Sequence, residues 1–147
     1  MAVFEVDSTI KASPEEAFDA MADARNETEW NTAVSRSRLL SDEPIGEGAV
    51  FETVNRGQTY QAKIKTYERP SRLVFEVSGK TMDITAAFAF AANDGGTANH
   101  ATFDFRPKGW FKLVFPVMRP LVARDGPKQA QNFAQFVETR SANNGGN

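Results

Sequence analysis

Few side chains in this sequence are of a type suited to catalysis. The 147 residues contain no cysteine, which excludes thiolate nucleophiles, disulfides and cysteine-ligated metal sites. The one histidine, His100, is the only side chain that titrates near neutral pH without help. It alternates with Phe103 and Phe105 along a predicted strand, which places it on the opposite, solvated face. We therefore expect a surface histidine with no catalytic role.

Paired carboxylates, the other common acid–base machinery, occur at three places. They lie in a helix cap, a short helix and a loop, at Glu15/Glu16, Glu27/Glu29 and Asp42/Glu43. We expect none of them on an apolar face, where loss of solvent would raise a carboxyl pKa. No nucleophile elbow, phosphate-binding loop or dinucleotide fingerprint is present. The sequence thus predicts no catalytic residue, no metal site and no cofactor.

The elements that would hold any site begin with a strand and two short helices. Residues 3–10 alternate apolar and polar side chains, which predicts a strand with one buried face. Ser13 and Glu16 form a capping-box pattern around Pro14, a good first residue of a helix. Asp23 is a suitable cap for a second short helix that ends at Trp30.

Residues 34–106 read as strands separated by turn residues at short intervals. Without long helices for parallel crossovers, this pattern predicts an antiparallel meander and hence an α+β fold with about seven strands. The predicted strands are Val34–Leu40, Val50–Asn55, Thr59–Glu68, Arg72–Ser78, Met82–Ala92 and Thr97–Arg106. Their alternation gives the sheet one aromatic face and one solvated face.

The C-terminal segment predicts helices that cover the aromatic face. The spacing of Leu113, Val117 and Leu121 suggests an inward apolar stripe. Three prolines interrupt the pattern, and proline tends to kink or break a helix. We expect a kinked helix over 108–124, a joint at 125–127, a second helix over 127–140 and a disordered tail over 141–147.

Several local motifs, in this order, resemble those of the START-like or SRPBCC superfamily, in particular its polyketide cyclase/dehydrase and lipid-transport branch. They are Ser13-Pro-Glu-Glu-Ala-Phe18, Ala22–Asn26 with Glu29-Trp30-Asn31, Ile45–Gly48 before Phe51, Tyr67–Leu73 and Asp104–Gly109. The resemblance implies a helix-grip fold over 1–140, in which a curved antiparallel sheet wraps around a long C-terminal helix. The pair Gly126-Pro127 departs from the continuous helix that is usual in this family.

The resemblance also implies a hydrophobic cavity between sheet and helix. Applied to this sequence, the cavity would be lined by Trp30, Asn31, Phe51, Thr53, Tyr60, Ile64, Phe75, Met82, Ile84, Phe88, Phe103, Phe105, Phe115 and Met118. The alternative is that the same side chains fill their own core. Asn31, Thr53, Tyr60 and Asn99 are candidates for orienting a guest, or for satisfying backbone groups.

Two functions follow from this interpretation. We expect binding, with transport as an extension, of a small hydrophobic ligand such as a lipid or a polyketide-like molecule. The alternative is an enzyme of the cyclase/dehydrase type acting in the same cavity, with Asn31, Thr53 and Tyr60 as its polar groups. Related branches of the superfamily also imply a ubiquinone-type or protein-partner role, which the sequence does not separate from ligand binding.

Charge is unevenly distributed along the chain. Residues 1–52 hold twelve acids and four bases, whereas the rest hold seven acids and thirteen bases. Among the latter, five cations lie close to aromatic residues within 108–128. They are Lys108, Lys112, Arg119, Arg124 and Lys128. This segment could touch an anionic membrane surface transiently, or it could be a solvated basic edge of a cover helix.

Other partners and the location follow from simple exclusions. The net charge of −2 and the absence of strands that interleave bases with exposed aromatics argue against nucleic acid. The N-terminus lacks the basic start and apolar run of a signal peptide, and we expect a cytoplasmic protein. We expect a monomer or a weak homodimer.

Overall fold

A computed structural model describes residues 2–145. The elements in chain order are β1 (Ala2–Ile10), α1 (Pro14–Ala22), α2 (Glu27–Trp30), β2 (Val34–Leu39), β3 (Val50–Asn55), β4 (Gln58–Glu68), β5 (Arg72–Gly79), β6 (Met82–Asn93), β7 (Gly96–Pro107) and α3 (Phe111–Gly145). A single 3-10 turn, Ala24–Asn26, joins α1 to α2. The predicted α+β class, the strand order and the long C-terminal helix are confirmed.

The seven strands form one curved antiparallel sheet in the order β1-β7-β6-β5-β4-β3-β2. The strands from β2 to β7 follow one another as a meander, whereas β1 pairs with β7 at the far edge, from Ala2 opposite Phe105 to Ile10 opposite Thr97. The segment with α1 and α2 therefore links the two edges of the sheet. The concave face carries the aromatic and aliphatic side chains that alternation predicted, among them the fully buried Phe51, Ile64 and Leu73.

The start of α1 has the local structure that its sequence predicts. The Ser13 hydroxyl accepts from the Glu16 backbone N–H at 3.1 Å, and the Glu16 carboxylate accepts from the Ser13 backbone N–H at 3.1 Å. This capping box satisfies two helix-end donors. The Asp23 carboxylate accepts from the Arg25 backbone N–H and so caps the turn that leads into α2. These caps place Trp30 and Asn31 at the entrance to β2.

The predicted break in the C-terminal helix is wrong, because α3 is continuous from Phe111 to Gly145. Pro116, Pro120 and Pro127 lie inside the helix, and all three are exposed. Their spacings of four and seven residues put them on one side, where water can solvate the carbonyls that lack a donor. A Cβ at Gly126 would lie 3.2 Å from Val6 Cγ2, so the glycine lets the helix approach β1 closely.

The inward face of the first half of α3 also differs from the prediction. Phe111 and Phe115 are buried there, whereas Leu113, Val117 and Leu121 are 83%, 78% and 57% exposed. The chain carries apolar residues on two sides of this helix, and aromatic rings on the sheet select one of them. The Phe115 ring lies 6.0 Å from that of Phe105. The stripe that includes Phe111 and Phe115 therefore faces inward, because it can pack against the aromatic rings of the sheet.

The last turns of α3 occupy part of the segment for which the sequence predicts a tail. Residues 141–145 are helical, and 146–147 lie outside the described residues. No helix within residues 2–145 combines the length and apolar character needed to cross a bilayer.

Candidate ligand site

The placement of α3 leaves part of the concave face of the sheet incompletely covered. Among the strands, the helix lies mainly against β1 and β7, at one side of the sheet. Four apolar or aromatic side chains that point toward the interior therefore stay half-buried, namely Tyr60, Ile84, Phe103 and Phe105. Large aromatic side chains that face a concave surface and still reach solvent are typical of a binding site.

The side chains named as cavity residues from the sequence converge in two hydrophobic clusters. The inner cluster, which includes α1 and the middle of the sheet, contains Trp30, Phe51, Ile64, Phe75, Phe88 and Phe103. The outer cluster, under the first half of α3, contains Tyr60, Met82, Ile84, Phe105, Phe115 and Met118. Phe103 and Phe105, whose ring centroids are 6.3 Å apart, join the two clusters.

Aromatic rings make a continuous path through this interior. Phe111 contacts Phe115, which contacts Phe105 in the outer cluster. From Phe103 the path continues through Phe88, at 5.8 Å, into the inner cluster. The Phe88–Phe103 pair is edge-to-face, an arrangement that aromatic quadrupoles favour, and the other pairs are tilted or stacked. The twelve phenylalanines thus largely form one connected apolar lining instead of scattered surface residues.

Of the four polar groups expected to orient a guest, Asn31 and Asn99 make hydrogen bonds within the protein. The Asn31 side-chain oxygen accepts from the Ala33 backbone N–H at 3.0 Å. Asn99 is buried and donates to Ser8 Oγ at 3.4 Å, while its side-chain oxygen has no partner among the described residues. Burial raises the pKa of the Tyr60 phenol. Thr53 is buried on the same concave face.

Glu27 contradicts the expectation that no carboxylate is desolvated. This residue lies at the first position of α2 and is half-buried. Burial raises the pKa of its carboxyl to about 7, and the neighbouring Asn31 side chain opposes the rise only in part. A carboxyl that is about half protonated at neutral pH can both give and accept a proton. It lies four residues before Asn31, on the same side of the helix.

Three further buried polar groups were not identified from the sequence. Gln129 of α3 is buried and binds Thr32 through both ends of its amide, accepting from the backbone N–H and donating to Oγ1 at 2.9 Å. The Trp30 indole nitrogen and the Ser37 hydroxyl are buried without a partner in the described chain. Of the three, only the burial of Gln129 could have been predicted from the sequence, because it lies four residues before Phe133 in the buried stripe.

Two surface depressions lie outside the sheet–helix interior. One, of about 590 Å³, lies between the Lys11–Pro14 segment and the β6–β7 turn. The other, of about 290 Å³, is lined by Tyr60, Gly79 and neighbours on β3, β4 and β5. A Cβ at Gly79 would come within 2.5 Å of the Tyr60 ring, so this glycine makes room for the ring across the β4–β5 pair. Tyr60 therefore borders both the outer cluster and this depression.

His100 lies on the convex face, as its parity predicted. Its imidazole contacts Asp7 Oδ1 at 2.6 Å and Glu5 Oε1 at 3.3 Å. The hydrogen bond with Asp7 raises the pKa of His100 above its ordinary value. Within residues 2–145, no three histidine or carboxylate side chains come together in a way that could hold a metal ion.

A family model described as "Polyketide cyclase / dehydrase and lipid transport" matches residues 1–138. The chain belongs to this family. The sheet and α3 have the helix-grip arrangement that the resemblance implied. The resemblance inferred from the local motifs is thereby confirmed.

Solved structures share the fold at low sequence identity. The aromatase/cyclase Zhui from a Streptomyces species superimposes with a TM-score of 0.79 at 12% identity, covering 95% of this chain and 94% of that one. TTHA0849 from Thermus thermophilus gives 0.77 at 14% identity, with coverages of 95% and 99%. A START superfamily protein from Mycobacterium smegmatis gives 0.67 at 16%, with coverages of 96% and 97%. No curated protein matches the sequence.

Proposed function

We propose that this protein binds a small hydrophobic ligand, such as a lipid or a polyketide-like molecule, between the sheet and α3. The observation that supports this most directly is the half-buried state of Tyr60, Ile84, Phe103 and Phe105 on the concave face. If this interior served only as a core, covering these side chains would make the folded protein more stable. Membership of a family described by lipid transport agrees with this function.

A binding experiment with an internal reporter tests the proposal. Replacing the exposed Trp110 by phenylalanine leaves Trp30, whose ring lies 5.1 Å from Phe133, as the single tryptophan. We expect long-chain fatty acids or planar aromatic polyketide mimics to change its fluorescence saturably. Ile84→Arg puts a charge into the outer cluster and should abolish the change. Ala89→Arg, on the exposed face of the same strand, should leave it intact.

A saturable signal that survives Ile84→Arg in a folded protein would place the ligand elsewhere. Folding of each variant is checked by its thermal unfolding transition. The absence of any saturable change with both ligand classes would contradict the proposal directly.

Glu27 favours a second candidate, an enzyme of the cyclase/dehydrase type. Such a reaction needs a group that removes a proton from carbon and returns one to oxygen, and a carboxyl with a pKa of about 7 suits both steps. Turnover of a poly-β-ketone mimic should then fall by about 10²–10⁴-fold in Glu27→Gln. The control Glu29→Gln, at an exposed position of the same helix, should keep full activity.

A further inference from the structure

The outward side of the first half of α3 is unusually apolar for a solvent-facing surface. Trp110, just before the helix, is 65% exposed, and Leu113, Val117 and Leu121 follow at 83%, 78% and 57%. The three helical residues are spaced four apart, so they form one continuous stripe. Single exposed apolar residues are ordinary, but a contiguous stripe with a tryptophan marks a surface that meets something less polar than water.

Cations border this stripe. Arg124 and Lys128 continue the stripe toward the C-terminus, because they follow Leu121 at helical spacing, and Lys112 is exposed at its start. Arg119 lies on another side, where its guanidinium is over the Phe4 ring of β1, 5.6 Å from the ring centroid. None of Lys112, Arg124 and Lys128 makes an ion pair with any residue in the range 2–145. The neighbouring charges are different, because Lys108 pairs with Asp83 at 3.0 Å and Asp125 with Arg56 at 3.0 Å. The stripe and these three cations, Lys112, Arg124 and Lys128, are called the outer face of α3 below.

We propose that the outer face of α3 docks on the surface of an anionic lipid bilayer. Uncompensated Lys and Arg side chains complement anionic headgroups, while Trp and Leu side chains enter the boundary between headgroups and acyl chains. A second copy of the chain is a poorer occupant, because the two-fold contact would bring six cations without ion-pair partners together.

The prolines of α3 limit how deeply the helix can enter the bilayer. Pro116 and Pro120 have no N–H, so the carbonyls of Lys112 and Pro116 lose their partners within the helix. Carbonyls without donors are costly in hydrocarbon but are solvated among headgroups. The helix therefore lies flat at headgroup depth and inserts only its side chains. The outer cluster, with Phe111 and Phe115 on the opposite side of the same turns, stays within the protein.

Co-sedimentation of the full chain with vesicles tests this docking. We expect binding to phosphatidylcholine vesicles that contain about 30% phosphatidylserine, and loss of binding at about 1 M salt. Arg124→Gln with Lys128→Gln should weaken partitioning by about 30-fold, since each cation near the surface contributes about fivefold. Lys63→Gln with Arg72→Gln makes the same charge change at exposed positions of the sheet and should have little effect.

The apolar part is tested separately. Leu113→Ser with Val117→Ser should reduce binding, whereas Val3→Ser with Leu40→Ser, at exposed apolar positions elsewhere, should not. All four positions are at the surface, and the thermal transition of each variant verifies its folding. These measurements use no internal ligand, so they are independent of the proposed function.

Three results would overturn the proposal. Equal partitioning onto neutral and anionic vesicles would remove the role of the cations. Equal losses in the test and control variants would remove the role of this face. A dimer in sedimentation velocity that dissociates in Leu113→Ser/Val117→Ser would assign the face to a second copy.

Discussion

Glu27 is the residue whose environment most affects the behaviour of the protein with pH. Its carboxyl has a pKa of about 7 in the folded chain against an ordinary value of 4.5, and burial is the main cause. The folded state thus binds the proton more tightly than the unfolded chain does. Stability is greatest below pH 4.5 with respect to this group and falls as the pH rises toward 7.

Replacing this carboxyl by an amide should therefore stabilise the protein at high pH. We expect Glu27→Gln to raise the free energy of unfolding by about 3 kcal/mol at pH ~8 and to have almost no effect at pH ~4. Urea unfolding at both pH values measures the difference. Glu29→Gln controls for the change in net charge, and an equal gain in that variant at pH ~8 would contradict a role for burial.

His100, on the convex and exposed surface, gives a pH dependence of the same sign as Glu27. Its hydrogen bond with Asp7 raises the pKa of the imidazole above 6.5. The resulting stabilisation is complete below that value and is lost as the pH rises through the folded-state pKa. Because the chain has a single histidine, one imidazole signal in an NMR titration reports this pKa. Asp7→Asn should bring the pKa back toward 6.5, and Glu5→Gln, at the longer distance, should lower it less.

Among the elements, α3 best shows what a sequence pattern leaves undecided. The strands, their alternation and the Ser13 capping box depend on neighbours in the chain, and they were predictable. The continuity of α3 depends on the tertiary contacts that hold it, including the approach of Gly126 to Val6. Which apolar stripe of α3 faces inward depends on the aromatic rings of the sheet. The spacing of Leu113, Val117 and Leu121 therefore predicted the wrong inward stripe. The burial of Glu27 depends in the same way on elements distant in sequence.

The continuous helix makes a prediction about Pro127. Pro127→Ala restores an N–H that can reach the Ala123 carbonyl and removes a ring that crowds the preceding turn. We expect the free energy of unfolding to rise by about 1–2 kcal/mol, less than the full cost of a helical proline because the unfolded chain regains freedom. Chemical denaturation measures this change.

Pro14→Ala is the matched control for that experiment. Pro14 lies in the first turn of α1, where a backbone N–H has no helical partner. Its replacement should be neutral or slightly destabilising. If Pro127→Ala behaves like Pro14→Ala, the helix does not run unbroken through residue 127.

At the scale of the whole molecule, the convex face of the sheet and the outer face of α3 are two surfaces of different composition. The convex face of the sheet carries ion pairs such as Lys65–Glu76 and the His100 cluster, which suit contact with water. On the outer face of α3, the cations make no ion pair with any residue from 2 to 145, and the apolar stripe is exposed. The sheet–helix interior lies between the two. Its aromatic face was predictable from alternation, whereas the incomplete cover over it follows from the side of the sheet on which α3 packs.

The pairing of β1 with β7 also has a consequence for synthesis on the ribosome. Residues 2–10 are made before their hydrogen-bonding partners, residues 97–105, which come roughly ninety residues later. During translation β1 must wait unpaired, with Phe4, Val6 and Ile10 available to chaperones, while the meander from β2 to β6 can already form local hairpins. Closure of the sheet is thus the strand pairing of greatest sequence separation, and such non-local pairing is slow to form. A nascent chain arrested before residue 96 would expose this strand for as long as the arrest lasts.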